Sequence, residues 1–182
     1  YLVASFVFVI MGVQNSFQYL VTSYAVAASP PLEYHSTATA ALLSASYGFA
    51  FAASRLLSIP ATMYFPNPLP RLQLSVMVSL AALAAITAHP DSGTVLETAA
   101  MALGLALAPA FPTAITYGKQ ALGPAMTGGK LSLLMSAGTL GGVFVPQLAG
   151  QFVSSGGKGA YGGPEVMMQM LSAVCLGGGV LL

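Results

Sequence analysis

The amino-acid sequence predicts an all-α fold, a polytopic transmembrane bundle of six helices. Only nine of the 182 residues are Asp, Glu, Lys or Arg, and 56% of the residues are hydrophobic. A water-soluble protein is usually about a quarter charged, so this chain cannot cover a globule in water. Its apolar residues also form repeated blocks of about 20 residues, the length that a helix needs to cross the hydrocarbon core of a bilayer.

Turn-forming residues divide the chain into six apolar blocks. The dividing segments are Ser29-Pro30-Pro31, the proline cluster Pro66 to Arg71, His89 to Gly93, Gly123-Pro124 and the Gly/Ser-rich stretch 154–163. The predicted helices cover about residues 2–28, 37–64, 72–88, 94–117, 127–153 and 164–182. We expect the proline cluster to form a short rigid loop. Polar and apolar residues do not alternate in these blocks, which excludes spanning β-strands.

The positions of Lys and Arg predict the orientation in the membrane. If the first helix begins in the cytoplasm, the cytoplasmic loops contain Arg71, Lys119 and Lys130, and Arg55 reaches the same side by snorkelling. The residues of the opposite side are Glu33, Asp91, Glu97 and Lys158. We therefore expect a multi-pass protein of the plasma or cell membrane with both ends cytoplasmic. Because the sequence lacks an initiator Met and stops inside an apolar run, we also expect a fragment of a longer protein.

Composition excludes several classes of function. A net charge of +1 gives no electrostatic surface for nucleic acid. Cys175 and two histidines, His35 and His89, are too few for a zinc or haem site, so we expect no metal and no cofactor. Leu131 follows Gly128-Gly129-Lys130 where a P-loop needs Ser or Thr, and no Gly-x-Ser-x-Gly motif is present. We therefore predict that the protein is not an enzyme and has no catalytic residues.

The first helix carries the densest set of polar residues, namely Gln14, Asn15, Gln18, Tyr19 and Thr22. At 100° per residue they occupy an arc of about 140°. An amide in hydrocarbon is costly unless it is paired, so this arc should face the bundle interior or a wet cavity. Amides beside a tyrosine suit the hydroxyl groups of a polar, uncharged ligand. The alternative is that these residues only hydrogen-bond neighbouring helices.

Polar residues and prolines of the other helices indicate mainly structural roles. We expect the serines of the second helix, including Ser54, to bond to their own backbone, whereas Tyr47 is a candidate site residue. Pro109 and Pro112 each free a backbone carbonyl, which a neighbour or water must satisfy. The 20 glycines favour close helix packing over a hinge. Glu97 is interpreted as an interfacial carboxylate rather than a cation or proton site.

Four segments, in this order and spacing, resemble the seventh, eighth, tenth and eleventh helices of major facilitator transporters of the fucose-permease and sodium-dependent glucose transporter type. The segments are Gly12 to Phe17 with Thr22 to Val26, Tyr47 to Phe49 with Ser54 to Pro60, Gly104-Leu105 with Phe111 to Ala114, and Thr127 to Lys130 with Gly138 to Gly141 and Pro146. Ser54 stands where that family usually has Gly, and acidic residues sometimes seen in its eleventh helix are absent. The resemblance covers most of residues 5–150.

The resemblance implies that the chain is the C-terminal half of a twelve-helix major facilitator fold, with an N-terminal six-helix half as its partner. A sugar or similar neutral solute would bind at the bilayer midplane between the halves, which rock to give alternating access. The implied substrate-binding residues are Gln14, Asn15, Gln18, Tyr19, Tyr47, Phe111 and Thr113. Arg55 and Lys130 would serve the cytoplasmic gate and the topology. Coupling to Na⁺, coupling to H⁺ and uncoupled transport all stay open.

Two other functions remain as alternatives. One is a transport-inactive membrane protein that binds a partner or lipid through its glycine-rich faces, and the other is a channel assembled from six-helix subunits. A channel should show a filter-like loop or a ring-forming charge, and the sequence shows neither. A transport-inactive protein would be expected to lose the polar face of the first helix, which is intact. The preferred interpretation is therefore a carrier of a small polar solute.

Overall fold

The computed structural model of the protein describes residues 2–27, 37–154 and 164–180, and within these ranges the regular secondary structure is entirely helical. The helices are α1 (Leu2–Ala27), α2 (Thr37–Tyr64), α3 (Pro68–Ala88), α4 (Gly93–Leu107), α5 (Ala110–Leu122), α6 (Gly128–Ser154) and α7 (Pro164–Val180), with a 3₁₀ turn at Gly123–Ala125. Glu33, His35 and Lys158, which entered the sequence predictions, lie outside the described residues.

Five helical segments are long and apolar enough to cross a membrane. They are Leu2–Ala27, Ala40–Tyr64, Pro68–Ala88, Gly93–Ala125 and Gly128–Gln151, and a shorter apolar helix covers Val166–Val180. The fourth segment contains both α4 and α5. The protein is therefore a multi-pass α-helical membrane protein, and the predicted all-helical membrane bundle is confirmed at this level.

Two predicted helix boundaries are wrong, and proline explains the first. The third helix begins at Pro68 rather than at residue 72, because a proline in the first turn loses an N–H group that has no intrahelical partner anyway. The fourth helix reaches Leu122 rather than residue 117, and it is interrupted between Leu107 and Ala110. The predicted loop at the proline cluster is thus reduced to residues 65–67.

The helices pack as two sets. In one set α1 packs against α6 and α7, and in the other the α4–α5 segment packs against α2 and α3. The two sets meet where α3 packs against α7, and α1 also contacts α2 and α5. If α1, α2 and α3 are exchanged for the α4–α5 segment, α6 and α7, the contacts within one set map onto those within the other. The contact between α1 and α2 has no counterpart of similar size between the α4–α5 segment and α6.

Glycines allow the closest helix contacts, as the sequence predicts. A Cβ atom at Gly104 of α4 would lie 2.6 Å from the carbonyl oxygen of Tyr47 in α2. A Cβ at Gly141 of α6 would overlap the carbonyl oxygen of Phe8 in α1. Real Cβ atoms do not approach backbone this closely, so each position requires glycine. Small residues of this kind bring membrane helices together where no hydrophobic force does so.

Two interhelical hydrogen bonds compensate for prolines. Pro109 has no N–H group to donate to the carbonyl of Leu105, and the Ser54 hydroxyl of α2 donates to that carbonyl at 2.6 Å. Pro146 likewise has no N–H group for the carbonyl of Gly142, and the side-chain amide of Asn15 in α1 donates to that carbonyl at 3.3 Å. The prediction that Pro109 would recruit a neighbour is confirmed, and the prediction that Ser54 bonds its own backbone is wrong. Ser46 does bond its own helix, through the carbonyl of Leu43 at 2.9 Å.

Candidate functional site

The polar residues of α1 divide into a buried set and an exposed set. Gln14 is 6% exposed and Ser16 is fully buried, and each has a buried side-chain oxygen without a hydrogen-bond partner. Gln18 and Tyr19 lie one turn further along the helix and are exposed, Tyr19 to 63%. Neighbouring helices cause the division, because buried Ser16 lies beyond exposed Tyr19 around the helix axis and outside the predicted arc. The predicted arc is therefore buried at Gln14 and uncovered at Gln18 and Tyr19.

Asn15 is half-buried and holds α1 to α6. Its side-chain nitrogen donates to the Gly142 carbonyl at 3.3 Å, the carbonyl that Pro146 leaves without a helical partner. A Cβ at Gly142 would collide with this amide, so the glycine is required for the bond. The amide nitrogen of Asn15 thus hydrogen-bonds a neighbouring helix, which was the alternative to ligand binding. The side chain is half-buried and still borders the exposed residues of α1.

Tyr47 lies beneath the surface rather than on it. It is fully buried, and its hydroxyl has no hydrogen-bond partner in the described part of the chain. Its ring stands 5.4 Å from that of Phe17 and 6.1 Å from that of Phe51, centroid to centroid. The guanidinium carbon of Arg55 lies 4.8 Å from the centroid of Phe51. A row of aromatic residues therefore links the buried side of α1 to Arg55, and Tyr47 does not itself line an open surface.

The α5 residues also take different positions. Thr113 is buried, whereas Pro112 and Thr116, one turn apart, are exposed. Phe111 is half-buried, and one of its ring carbons would lie 3.5 Å from a Cβ at Gly138 of α6. The same Cβ would lie 3.3 Å from Met11. Helices α1, α5 and α6 thus meet at Gly138, with Phe111 at the junction.

Exposed polar residues lie on three helices. On α6 they include a row of hydroxyl groups at helical spacing, and on α5 they include Thr116. We use the name polar face for the exposed residues Gln18, Tyr19, Thr116, Ser132, Ser136 and Thr139. The hydroxyl groups of Thr116, Ser132 and Thr139 donate to carbonyls of their own helices, whereas Gln18 and Tyr19 of α1 carry the polar groups that need an outside partner. The sequence signal for the α6 row was its Ser and Thr spacing of three to four residues.

Basic residues gather at one end of the bundle. Lys130 is exposed and donates to the carbonyl of Ala125 at 2.8 Å. It lines a cavity of about 490 Å³ together with Tyr117 of α5 and Leu2 of α1. Arg71, near the start of α3, has a buried Nε atom without a partner. The sequence analysis placed Arg71 in a cytoplasmic loop and used it only for the orientation, because the start of α3 was misplaced.

No described cluster suggests a metal centre, since no group of three or more His, Cys, Asp or Glu side chains lies close together among the described residues. Comparison with protein-family models, curated proteins and solved structures found no match to this chain. The chemistry of the site therefore rests on its own residues. They offer amides, hydroxyl groups and aromatic rings, a set suited to an uncharged polar ligand.

Proposed function

We propose that the chain is one half of a secondary carrier for a small polar neutral solute, a sugar in the simplest case. The observation that carries the proposal is the exposed polar face. Gln18 and Tyr19 lie well inside a 26-residue apolar helix and are uncovered. Hydrocarbon cannot satisfy their polar groups, so water or a second bundle must lie against them. A wet cavity between two bundles meets both conditions.

The packing of the helices supports the same proposal. The two sets of helices have matching internal contacts, as expected if the first three helical segments and the last three are inverted repeats, the arrangement by which many secondary transporters build a central site. The family resemblance noted above belongs to that class. On this basis we propose a major facilitator fold, with a second six-helix half covering the polar face.

The proposed role of each residue depends on how deeply its side chain is buried in the bundle. Gln18 and Tyr19 would contact the solute directly, with the free oxygen of Asn15 beside them. Gln14 lies behind this layer with an unused buried acceptor, and we propose that it binds the solute or an ordered water when the site is filled. The buried Tyr47 would act through Phe17, against which it packs. These roles explain polar selectivity without any buried charge.

The orientation completes the proposal. Arg71, Lys119 and Lys130 lie at the end where α1 begins, and Asp91 and Glu97 lie near the opposite end, at the start of α4. Positive charge is retained on the cytoplasmic side of membrane proteins. We therefore place that end in the cytoplasm of a cell-membrane protein, with Arg55 and Lys130 beside the cytoplasmic gate. Na⁺ and H⁺ both remain candidates for coupling.

The first experiment replaces Gln18 by Leu in the complete carrier and measures uptake of neutral sugars into proteoliposomes. We expect uptake to fall about tenfold or more, since a lost hydrogen bond to a buried ligand costs about 1–3 kcal/mol. Gln169→Leu is the matched control, because Gln169 is an exposed amide on α7, away from the polar face. Gln14→Leu tests the deeper layer in the same assay.

Each alternative function predicts a different result. A transport-inactive protein would show no uptake above empty liposomes in any variant. A channel would show uptake that does not saturate with solute concentration, since it has no alternating step. Equal uptake by the wild type, Gln18→Leu and Gln169→Leu across neutral sugars would reject the assignment of the polar face.

A further inference from the structure

A second polar feature lies away from the polar face, on the outer side of the bundle. A cavity of about 300 Å³ opens between α2, α3 and α4 at the basic end. Its walls are mostly apolar and include Leu57 and Ala61 of α2 and Leu74 and Val78 of α3. Arg71 and Ser75, one helical turn apart on α3, also line it. We call this cavity the Arg71 cleft.

Among the described residues, no side chain neutralises Arg71. Its Nε atom is buried, and the side chain makes no hydrogen bond or ion pair with any described residue. The acids Asp91 and Glu97, at the start of α4, lie toward the opposite end of the bundle from α3's first turn. A partly buried cation without a counterion is costly. The Arg71 cleft is therefore electrostatically complementary to an anion.

The hydroxyl groups of the cleft are not equivalent. Ser54 donates to the carbonyl of Leu105, and Ser58 donates to the carbonyl of Arg55 at 2.7 Å. Ser75 is 8% exposed; its carbonyl accepts from the Ser79 hydroxyl at 2.7 Å, but its own hydroxyl makes no hydrogen bond within the described part of the chain. Its hydroxyl is thus free to donate to a ligand beside Arg71. One guanidinium and one hydroxyl, a turn apart, form a small anion-binding pair.

The cleft is open toward the hydrocarbon. Leu57 and Leu74 line it and are 65% and 64% exposed. A second cavity, of about 330 Å³, adjoins the first, shares Arg71 and Leu74 with it, and has Tyr64 and Phe65 in its walls. Aromatic residues at a helix end are typical of the membrane–water interface. The cation therefore lies at headgroup depth, and apolar walls extend from it toward the bilayer core.

We infer that the Arg71 cleft binds an anionic phospholipid. The phosphate would lie on the Arg71 guanidinium and the Ser75 hydroxyl, and an acyl chain would lie along the apolar walls formed by Leu57, Leu74 and Val78. Basic pockets between helices on the cytoplasmic side are known settings for acidic headgroups. The inference is independent of the solute carrier, because none of these residues belongs to the polar face.

Native mass spectrometry of the full chain, purified in detergent and mixed with equal amounts of phosphatidylglycerol and phosphatidylcholine, tests the inference. We expect the wild type to retain phosphatidylglycerol preferentially. Arg71→Gln should lower that retention roughly tenfold or more, as expected for loss of a charged hydrogen bond. Lys119→Gln is the matched control, since it removes an exposed cation at the same end of the bundle. It should leave retention unchanged.

A second variant tests the contact with the acyl chain separately from the contact with the headgroup. Val78→Phe fills the apolar part of the cleft and leaves Arg71 in place, so it should also lower retention of phosphatidylglycerol. It keeps the test decisive if Arg71→Gln does not fold. Inorganic phosphate at millimolar concentration should not displace the lipid. Equal retention of both lipids, an equal loss in Lys119→Gln, an unchanged Val78→Phe, or displacement by phosphate alone would each overturn the inference.

Discussion

Pro109 and Pro146 remove the same backbone hydrogen bond from two different spans, yet only the first interrupts its helix. The span of Pro109 is broken into α4 and α5, while α6 continues through Pro146. The difference lies in the number of bonds lost. Pro112 follows Pro109 within one turn and also frees the carbonyl of Ala108, whereas no second proline accompanies Pro146.

The two sites also differ in the group that replaces the lost donor. At Leu105 the donor is the hydroxyl of Ser54 at 2.6 Å, and at Gly142 it is the amide of Asn15 at 3.3 Å. The shorter bond supports the more disrupted helix. The comparison teaches that a proline in a membrane span is tolerated according to what the neighbouring helix supplies, as the low polarity of the surroundings requires.

A buried thiol provides a direct measure of stability for testing this comparison. The chain has a single cysteine, Cys175, which is fully buried in α7, and it has no tryptophan. A dye that fluoresces on reaction with a thiol will therefore report exposure of Cys175 as the purified chain is heated in detergent. The temperature at which half of the Cys175 thiols have reacted then measures the stability of the bundle, and substitutions at the helix contacts should lower it.

The largest effect is expected from Gly141→Ala, which forces α1 away from α6. The new Cβ would overlap the carbonyl oxygen of Phe8, so the helices must separate and the bond from Asn15 to Gly142 must lengthen. We expect a loss of about 3 kcal/mol or more, the upper range for overpacking. Gly129→Ala is the control, because no atom lies within 4 Å of a Cβ there. Equal midpoints for the two variants would contradict the close contact.

Ser54→Ala should have the next largest effect, because it leaves the part-buried carbonyl of Leu105 without a donor. We expect a loss of about 1–3 kcal/mol. Pro109→Ala restores a backbone N–H to the same carbonyl, so Ser54→Ala should cost much less in that background. A cost for Ser54→Ala that is identical with and without Pro109 would show that the hydroxyl does not compensate for the proline.

Asn15→Ala should cost least, about 0.5–1.5 kcal/mol, because its bond to Gly142, at 3.3 Å, is longer than the 2.6 Å bond of Ser54. Pro146→Ala supplies the missing backbone donor and should reduce that cost further. The coupling between Asn15 and Pro146 is expected to be smaller than the coupling between Ser54 and Pro109. Finding the reverse order in the two double-mutant cycles would invalidate the ranking of the two sites.

The helical spans could be predicted because hydrocarbon imposes one simple requirement on length and composition. The start of α3 was missed because Pro68 and Pro70 suggest a loop in isolation. Their missing N–H groups cost nothing in the first turn of a helix, where such groups have no intrahelical partner. Whether Pro68 and Pro70 lie in a loop or in the first turn of a helix therefore depends on where the helix starts, which the prolines alone do not determine.

The candidate site could be predicted only as far as one helix determines it. The polar arc on α1 follows from its periodicity, but its division into buried and exposed residues depends on α2 and α6. The acceptor of Asn15 lies 127 residues away in sequence, and the burial of Tyr47 depends on the Phe17 ring of a different helix. The proposed lipid-binding role of Arg71 depends on the described acids Asp91 and Glu97 lying far from it in the fold, and the local sequence does not show that distance.

The two proline bonds also share a direction along the chain. Asn15 precedes Gly142, and Ser54 precedes Leu105 by 51 residues. Because a protein is synthesised from its N-terminus, each donor helix is made before the span that lacks a donor of its own. During biogenesis, a span weakened by proline therefore enters the membrane after the helix that supplies its missing hydrogen-bond donor.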